Sequence, residues 1–299
     1  MHPRLFTIEL FGRQLAVSSY GLMVATGVML GIYLGYRNAR RVGLRTDDFL
    51  DLMFWGLVTA LLASRLMFVL TNYDRFRGDL WRTLYIWEGG LVFYGGVVGG
   101  CAMGLYLMWR RKLPFLRSGD VIAPVLALGH AFGRLGCFLA GCCWGKACPR
   151  PVGVQFASDS VVYENLVARR QIDPSLSNVT PPLHPVQLYE SGGEIAIFAV
   201  LLYLSIRKRF DGMVFFSYLL MYALLRSVTE LFRGDAERRF LFQVALPDLA
   251  RLLGLPPGEP LFLSTSQFTS LLSAGVAVAG LIWLRRRADR TRASRPTPS

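Results

Sequence analysis

The chain has 299 residues, 53% of them hydrophobic and 18% charged, with a formal net charge of +13. With a positive mean hydropathy, this leaves a polytopic helical membrane protein as the class that fits. In a soluble protein so basic a balance would suggest nucleic acid. Here membrane topology explains it better, and no nucleic-acid partner is expected.

Taken in order, the N-terminal MHPRLFTIELFGRQLAV lacks a basic segment followed by a long apolar core and a small-residue cleavage site, so no cleavable signal peptide is expected. Seven apolar stretches are predicted to span as helices, at about 18–36, 50–70, 89–109, 120–143, 186–206, 212–232 and 266–284. The first loop carries Arg37, Arg40, Arg41 and Arg45, and the third Arg110, Arg111, Lys112 and Arg117. Arg207, Lys208 and Arg209 occupy the fifth, and the tail holds Arg285, Arg286, Arg287, Arg290, Arg292 and Arg295. These four stretches hold 17 of the 33 basic residues and fall on one side. The positive-inside rule makes that side cytoplasmic, with the N-terminus periplasmic and the C-terminus cytoplasmic. Two outer segments exceed what a connection needs. Residues 144–185, with Pro181 and Pro182, are expected to form irregular structure or a small periplasmic head. Residues 233–263, containing LFQVALPDLARLLGLP, suggest an interfacial helix. The basic tail 288–299 is expected to be unstructured.

The fourth stretch, DVIAPVLALGHAFGRLGCFLAGCC, reads as one helix from Asp120 to Cys143. An unpartnered arginine at the centre of a lone spanning helix costs about 2.5–3.5 kcal/mol on insertion scales, so Arg134 needs a partner, a wet cavity or an anionic ligand. His130 lies one turn away on the same face. With orientation set, depths follow at a rise of about 1.5 Å per residue. Tyr20, Arg65, Gly89, Gly90, Tyr94, Arg134, Gln187, Glu190, Tyr222, Arg226 and Glu230 all fall toward the outer leaflet, and the inner half reads as almost purely apolar. A transporter would carry polar groups at the midplane between repeats. This distribution describes a site open to the outer leaflet, with arginines in surplus over carboxylates and suited to a lipid phosphate. Pairing of Arg226 with Glu230 across one helical turn explains that pair alone.

Cys137, Cys142, Cys143 and Cys148 cluster after Arg134, while Cys101 stands apart. Their C-x4-C-C-x4-C spacing matches no familiar zinc pattern. Apolar packing is the expected role, ahead of a periplasmic disulfide and then a metal site, so no metal or cofactor is expected.

In this order the motifs SYGLM, WEGGLVFYGG, GRLGCFLAGCCWG, HPVQLYES and RSVTELFRGD resemble the prolipoprotein diacylglyceryl transferase family. The resemblance implies a seven-helix bundle open to lipid. It also implies transfer of the diacylglyceryl group of phosphatidylglycerol to the lipobox cysteine of a preprolipoprotein. By match to the family's motifs, it implies functional roles for Tyr20, Arg134, Gly145, His184, Gln187, Glu190, Tyr222, Arg226 and Glu230, with Gly89 and Gly90 beside the substrate. Four positions depart. Tyr94 stands at the usual histidine of GG-x-x-F-H-G, Cys137 and Cys142 at the usual asparagine and glutamate of GRxGNFxNGE, and Lys146 at a usual arginine. A phenol is mostly neutral at pH 7, so Tyr94 reads as a hydrogen-bond donor. His130 is a candidate base or a structural histidine, and the arginine field is expected to do most of the thiol activation. Rival readings are a thiol–disulfide oxidoreductase, which lacks its C-x-x-C, a non-catalytic lipid-binding paralogue, and a lipid transferase with another acceptor.

Overall fold

The computed structural model describes residues 4–10, 13–86, 89–148, 151–234, 240–244 and 262–293. A hairpin of β1 (Arg4–Leu10) and β2 (Arg13–Ser18) leads into α1 (Ser19–Arg41) and α2 (Thr46–Thr71). α3 (Phe93–Arg110), α4 (Phe115–Ala140) and the short α5 (Val161–Ala168) follow. Next come α6 (Val186–Arg207) and α7 (Met213–Thr229), then the antiparallel pair β3 (Phe240–Val244) and β4 (Phe262–Ser264), and α8 (Thr265–Ala293). Helices dominate as expected, and the two short ribbons are an addition to the all-α expectation.

Six of the described helices are long and apolar enough to cross a membrane: α1, α2, α4, α6, α7 with its terminal turn, and α8. Their exposed residues include Met29, Phe54, Leu62, Leu66, Ile206, Leu224, Val276 and Trp283, whereas Glu190, Glu194, Gln187 and Glu230 are buried. That inversion of a soluble protein is what lipid demands, and it identifies a multi-pass membrane protein.

Several expected boundaries change. The third expected span is the 18-residue α3, which is not among the six. It begins at Phe93, because Gly89 and Gly90 hold left-handed φ values of 81° and 73° and belong to the preceding loop. α4 stops at Ala140, since Gly141 (φ 66°) and Cys143 (φ 57°) leave the helical region. α8 runs to Ala293, so the basic tail is helical over 288–293 instead of unstructured, while 294–299 lie outside the described residues. Of the suggested interfacial helix, Leu241–Val244 belong to β3 and the remainder lies outside the described residues.

The chain divides into two compact units, Ile32–Val121 and Met1–Gly31 with Ile122–Ser299. In the first, α2 and α3 touch backbone to backbone. A Cβ on Gly95 would lie 2.6 Å from the Ala63 carbonyl oxygen, and one on Gly99 2.8 Å from that of Thr59. Small residues permit this approach, which replaces hydrophobic driving force in lipid. Arg111 closes one end of the pair on Asp48 (2.8 Å) and Asp51 (2.6 Å). At the other end Arg65 donates to the carbonyls of Arg82 (2.8 Å), Thr83 (2.8 Å), Gly89 (2.5 Å) and Gly90 (3.2 Å). Arg65 therefore organises the α2–α3 loop and is withdrawn from the expected arginine surplus.

In the second unit, Ala123, Ala127, Ile197, Leu201, Val214 and Tyr218 form the core between α4, α6 and α7. A separate core of Trp144, Phe156, Val162, Leu166 and Leu183 gathers the segment after α4 into a small head.

Gly99→Leu is expected to destabilise the protein by about 1–3 kcal/mol or more, as overpacking does. Thermal unfolding in detergent measures this, and an unchanged midpoint would contradict the α2–α3 contact.

A candidate active site built on a shared carboxylate

α4 and α6 run antiparallel, so residues four apart on one meet residues four apart on the other. Arg134 ion-pairs through Nε with the Glu190 carboxylate. One turn along, His130 Nδ1 lies 3.0 Å from Glu194 Oε1. The third helix completes the arrangement. Arg226 Nη1 lies 3.1 Å from Glu190 Oε1, and its Nη2 lies 2.8 Å from Glu230 Oε2 and 3.2 Å from Ser266 Oγ. Thr229 Oγ1 donates to Glu190 Oε1 at 3.2 Å. Glu190 thus serves two guanidiniums, and its side chain is only 5% exposed.

The deeper layer is aromatic as well as charged. Tyr222 sits with its ring centroid 5.2 Å from that of His130 and stacks on Tyr218 at 6.0 Å. Glu194 is fully buried. Its carboxylate lies beside the Nδ1 edge of the imidazole.

The walls come from the head. The segment at Gly145 is pressed against the entry to α6, where a Cβ would run into the His184 carbonyl and lie 2.7 Å from Val186. Lys146 N donates to the Phe232 carbonyl (2.8 Å) and His184 N to the Lys146 carbonyl (2.9 Å), tying the start of α6 to the end of α7. His184 Nδ1 is 3.2 Å from the Tyr189 hydroxyl. Gln187 Nε2 donates to the Cys142 carbonyl at 2.7 Å. Tyr20, at the head of α1, lies over Gly136, whose added Cβ would be 3.0 Å from Tyr20 Cδ2.

The fold therefore brings Tyr20, His130, Arg134, Gly145, His184, Gln187, Glu190, Tyr222, Arg226 and Glu230 into one unit. Gly89, Gly90 and Tyr94 belong to the other unit, together with Arg65. Two expectations change. The arginines are not in surplus, because Arg134 and Arg226 both face Glu190, and Arg226 faces Glu230 too. Nor is the apolar region clean, because the His130–Glu194 rung lies one turn deeper.

A family model described as prolipoprotein diacylglyceryl transferase matches residues 6–283. The chain belongs to that family. Among similar proteins, the phosphatidylglycerol–prolipoprotein diacylglyceryl transferase of Clostridium tetani is 30% identical, over 93% of this chain and 96% of its own length. The one from Oceanobacillus iheyensis is 30% identical, over 91% and 85% respectively. In Clostridium perfringens the protein named phosphatidylglycerol–prolipoprotein diacylglyceryl transferase 2 is 26% identical over 94% and 96%.

Against this family background, Glu194 is the residue that sequence reasoning missed. Its signal was present, since an acidic residue inside an apolar span is functional by default and Glu194 follows Glu190 by one turn. Ser266 and Thr229 carried no such signal.

Glu190→Ala leaves two buried guanidiniums without their shared partner. Breaking a buried pair typically costs about 3–5 kcal/mol. A fall of that size in unfolding free energy is expected in detergent, with Glu190→Gln intermediate. Wild-type stability in Glu190→Ala would refute the shared pair.

Proposed function

We propose that this protein transfers the diacylglyceryl group of phosphatidylglycerol to the thiol of a lipobox cysteine in a preprolipoprotein. It would act in the bacterial cytoplasmic membrane, with seven spans, a periplasmic N-terminus and a cytoplasmic C-terminus. Family membership and the names of the relatives support the reaction. The observation that carries it is the Arg134–Glu190–Arg226 arrangement. Glu190 engages Arg134 through Nε and Arg226 through Nη1, so one carboxylate orients both guanidiniums.

The thiolate attacks the glyceryl carbon that bears the phosphate ester. The C–S bond forms, the C–O bond breaks, and glycerol phosphate departs with its growing negative charge facing Arg134 and Arg226. Glu190 fixes both forks, so little reorganisation is needed as that charge develops. An ordinary thiol has a pKa near 8.5 and needs a proton acceptor at neutral pH. His130, with the Glu194 carboxylate beside its Nδ1, is the proposed acceptor through Nε2. This moves the weight from the arginine field to an imidazole–carboxylate pair. Tyr94 is proposed as a hydrogen-bond donor only. Tyr222, His184, Gln187, Gly145 and Tyr20 would shape the lipid site, and Gly89 and Gly90 would flank the substrate.

Purified protein with phosphatidylglycerol and a lipobox peptide should add one diacylglyceryl unit to the peptide cysteine, read by mass. No gain with any phospholipid would favour a non-catalytic lipid binder. Arg134→Ala and Arg226→Ala should each abolish turnover, and the Lys versions should stay poor because a point charge lacks the bidentate fork.

His130→Ala should cost about 10²–10⁴-fold in rate, as loss of a general base does, with partial recovery as pH rises toward the thiol pKa. A loss below tenfold would return thiol activation to the arginines. Reporter fusions after residues 44, 114 and 208 should all report cytoplasm, and a periplasmic signal from any one would break the topology.

A further inference from the structure

Three cysteines converge where α4 ends, and the way the helix is capped explains how. Gly141 N donates to the Phe138 carbonyl (3.2 Å) and Cys142 N to the Cys137 carbonyl (3.0 Å). With Gly141 at φ 66°, this is a Schellman cap. Such a cap brings the side chain just beyond the helix onto the one five residues earlier, here Cys142 onto Cys137. Cys143 then takes a left-handed φ of 57° and turns a third thiol into the same place. The sulfurs of Cys137, Cys142 and Cys143 all lie within 4.8 Å of one another.

The turn is held from two sides. Val162 N donates to the Gly141 carbonyl at 2.9 Å, and Gln187 Nε2 to the Cys142 carbonyl at 2.7 Å. All three thiols are free and only half-buried, so an ion can reach them, whereas Cys148 is buried in the head and Cys101 belongs to the other unit. Arg134 and Arg233 act electrostatically on Cys143, and nearby cations favour thiolates.

We propose that Cys137, Cys142 and Cys143 form a trithiolate site for a soft, thiophilic metal ion of the Zn(II) and Cd(II) type. A metal–sulfur bond of about 2.3 Å sets the three sulfurs about 4 Å apart, which the cluster reaches with side-chain adjustment alone. On binding, three S–H bonds are lost, three metal–sulfur bonds form, and three protons pass to solvent. A divalent ion then leaves one net negative charge, which Arg134 and Arg233 offset. Its fourth position is open to water. Sequence spacing concealed the site, because the left-handed turn, rather than a C-x-x-C knuckle, gathers the ligands.

The test is titration of the full-length protein with Cd(II) in detergent, after anaerobic purification. One equivalent should bind and give a sulfur-to-cadmium charge-transfer absorption of the strength of three thiolates. Cys137→Ser, Cys142→Ser and Cys143→Ser should each reduce that absorption by about a third and weaken binding at least about tenfold, the lower end of the loss seen when metal-site partners are removed. Cys101→Ser should leave it unchanged. Three independent serine variants keep the test usable if one fails to fold. Absence of the band, a band unchanged in the serine variants, or a thiol count showing two of the three cysteines already joined as a disulfide would each overturn the proposal.

Discussion

One carboxylate facing two guanidiniums is the constraint on which the site depends. In lipid neither Arg134 nor Arg226 is tolerable alone, and neither is Glu190. Each solves the others' problem, and each comes from a different helix: α4, α6 and α7. The contact therefore fixes the mutual rotation of three helices whose remaining core is apolar and far less directional. Buried ion pairs are weak evidence of stability, because desolvation offsets their attraction. Their value here is specificity: only one rotation of each helix satisfies all three charges.

From this rung the chemistry extends in both directions. Toward the head, Gln187 and the Gly145 segment lock α6 to the ends of α4 and α7. One turn deeper, the same antiparallel register brings His130 to Glu194. In the proposed mechanism, phosphate recognition and proton transfer would thus sit one helical turn apart on a single helix pair. A substitution that rotated α6 would disturb both at once. Tyr222 links the layers, since it contacts His130 and lies one turn from Arg226 on α7.

Elsewhere the structure spends its charged residues differently. Arg65 reads like a site residue by depth, yet its guanidinium holds four loop carbonyls. Backbone groups at a membrane boundary must be satisfied from within the protein, and an arginine fork can serve several at once. Glycine has two uses here. In α3 it permits backbone contact between helices, and at Gly141 it reverses the chain at the end of α4.

The sequence by itself determined the membrane class, six of the long apolar helices, and which charged residues fall within them. Hydropathy acts over whole segments, so it survives without knowledge of partners. The face shared by Tyr222, Arg226 and Glu230 was legible for the same reason, since helical spacing is local. Only the tertiary structure decided which carboxylate meets which arginine. Depth alone could not separate Arg65, bound to its own loop, from Arg134 and Arg226, which meet on Glu190. It also decided that Glu194 lies beside His130, and that Cys142 and Cys143 fold back onto Cys137. Those outcomes rest on the register between α4 and α6 and on two left-handed residues after Ala140. The register is set by long-range packing, and the second left-handed residue, Cys143, has no glycine to announce it.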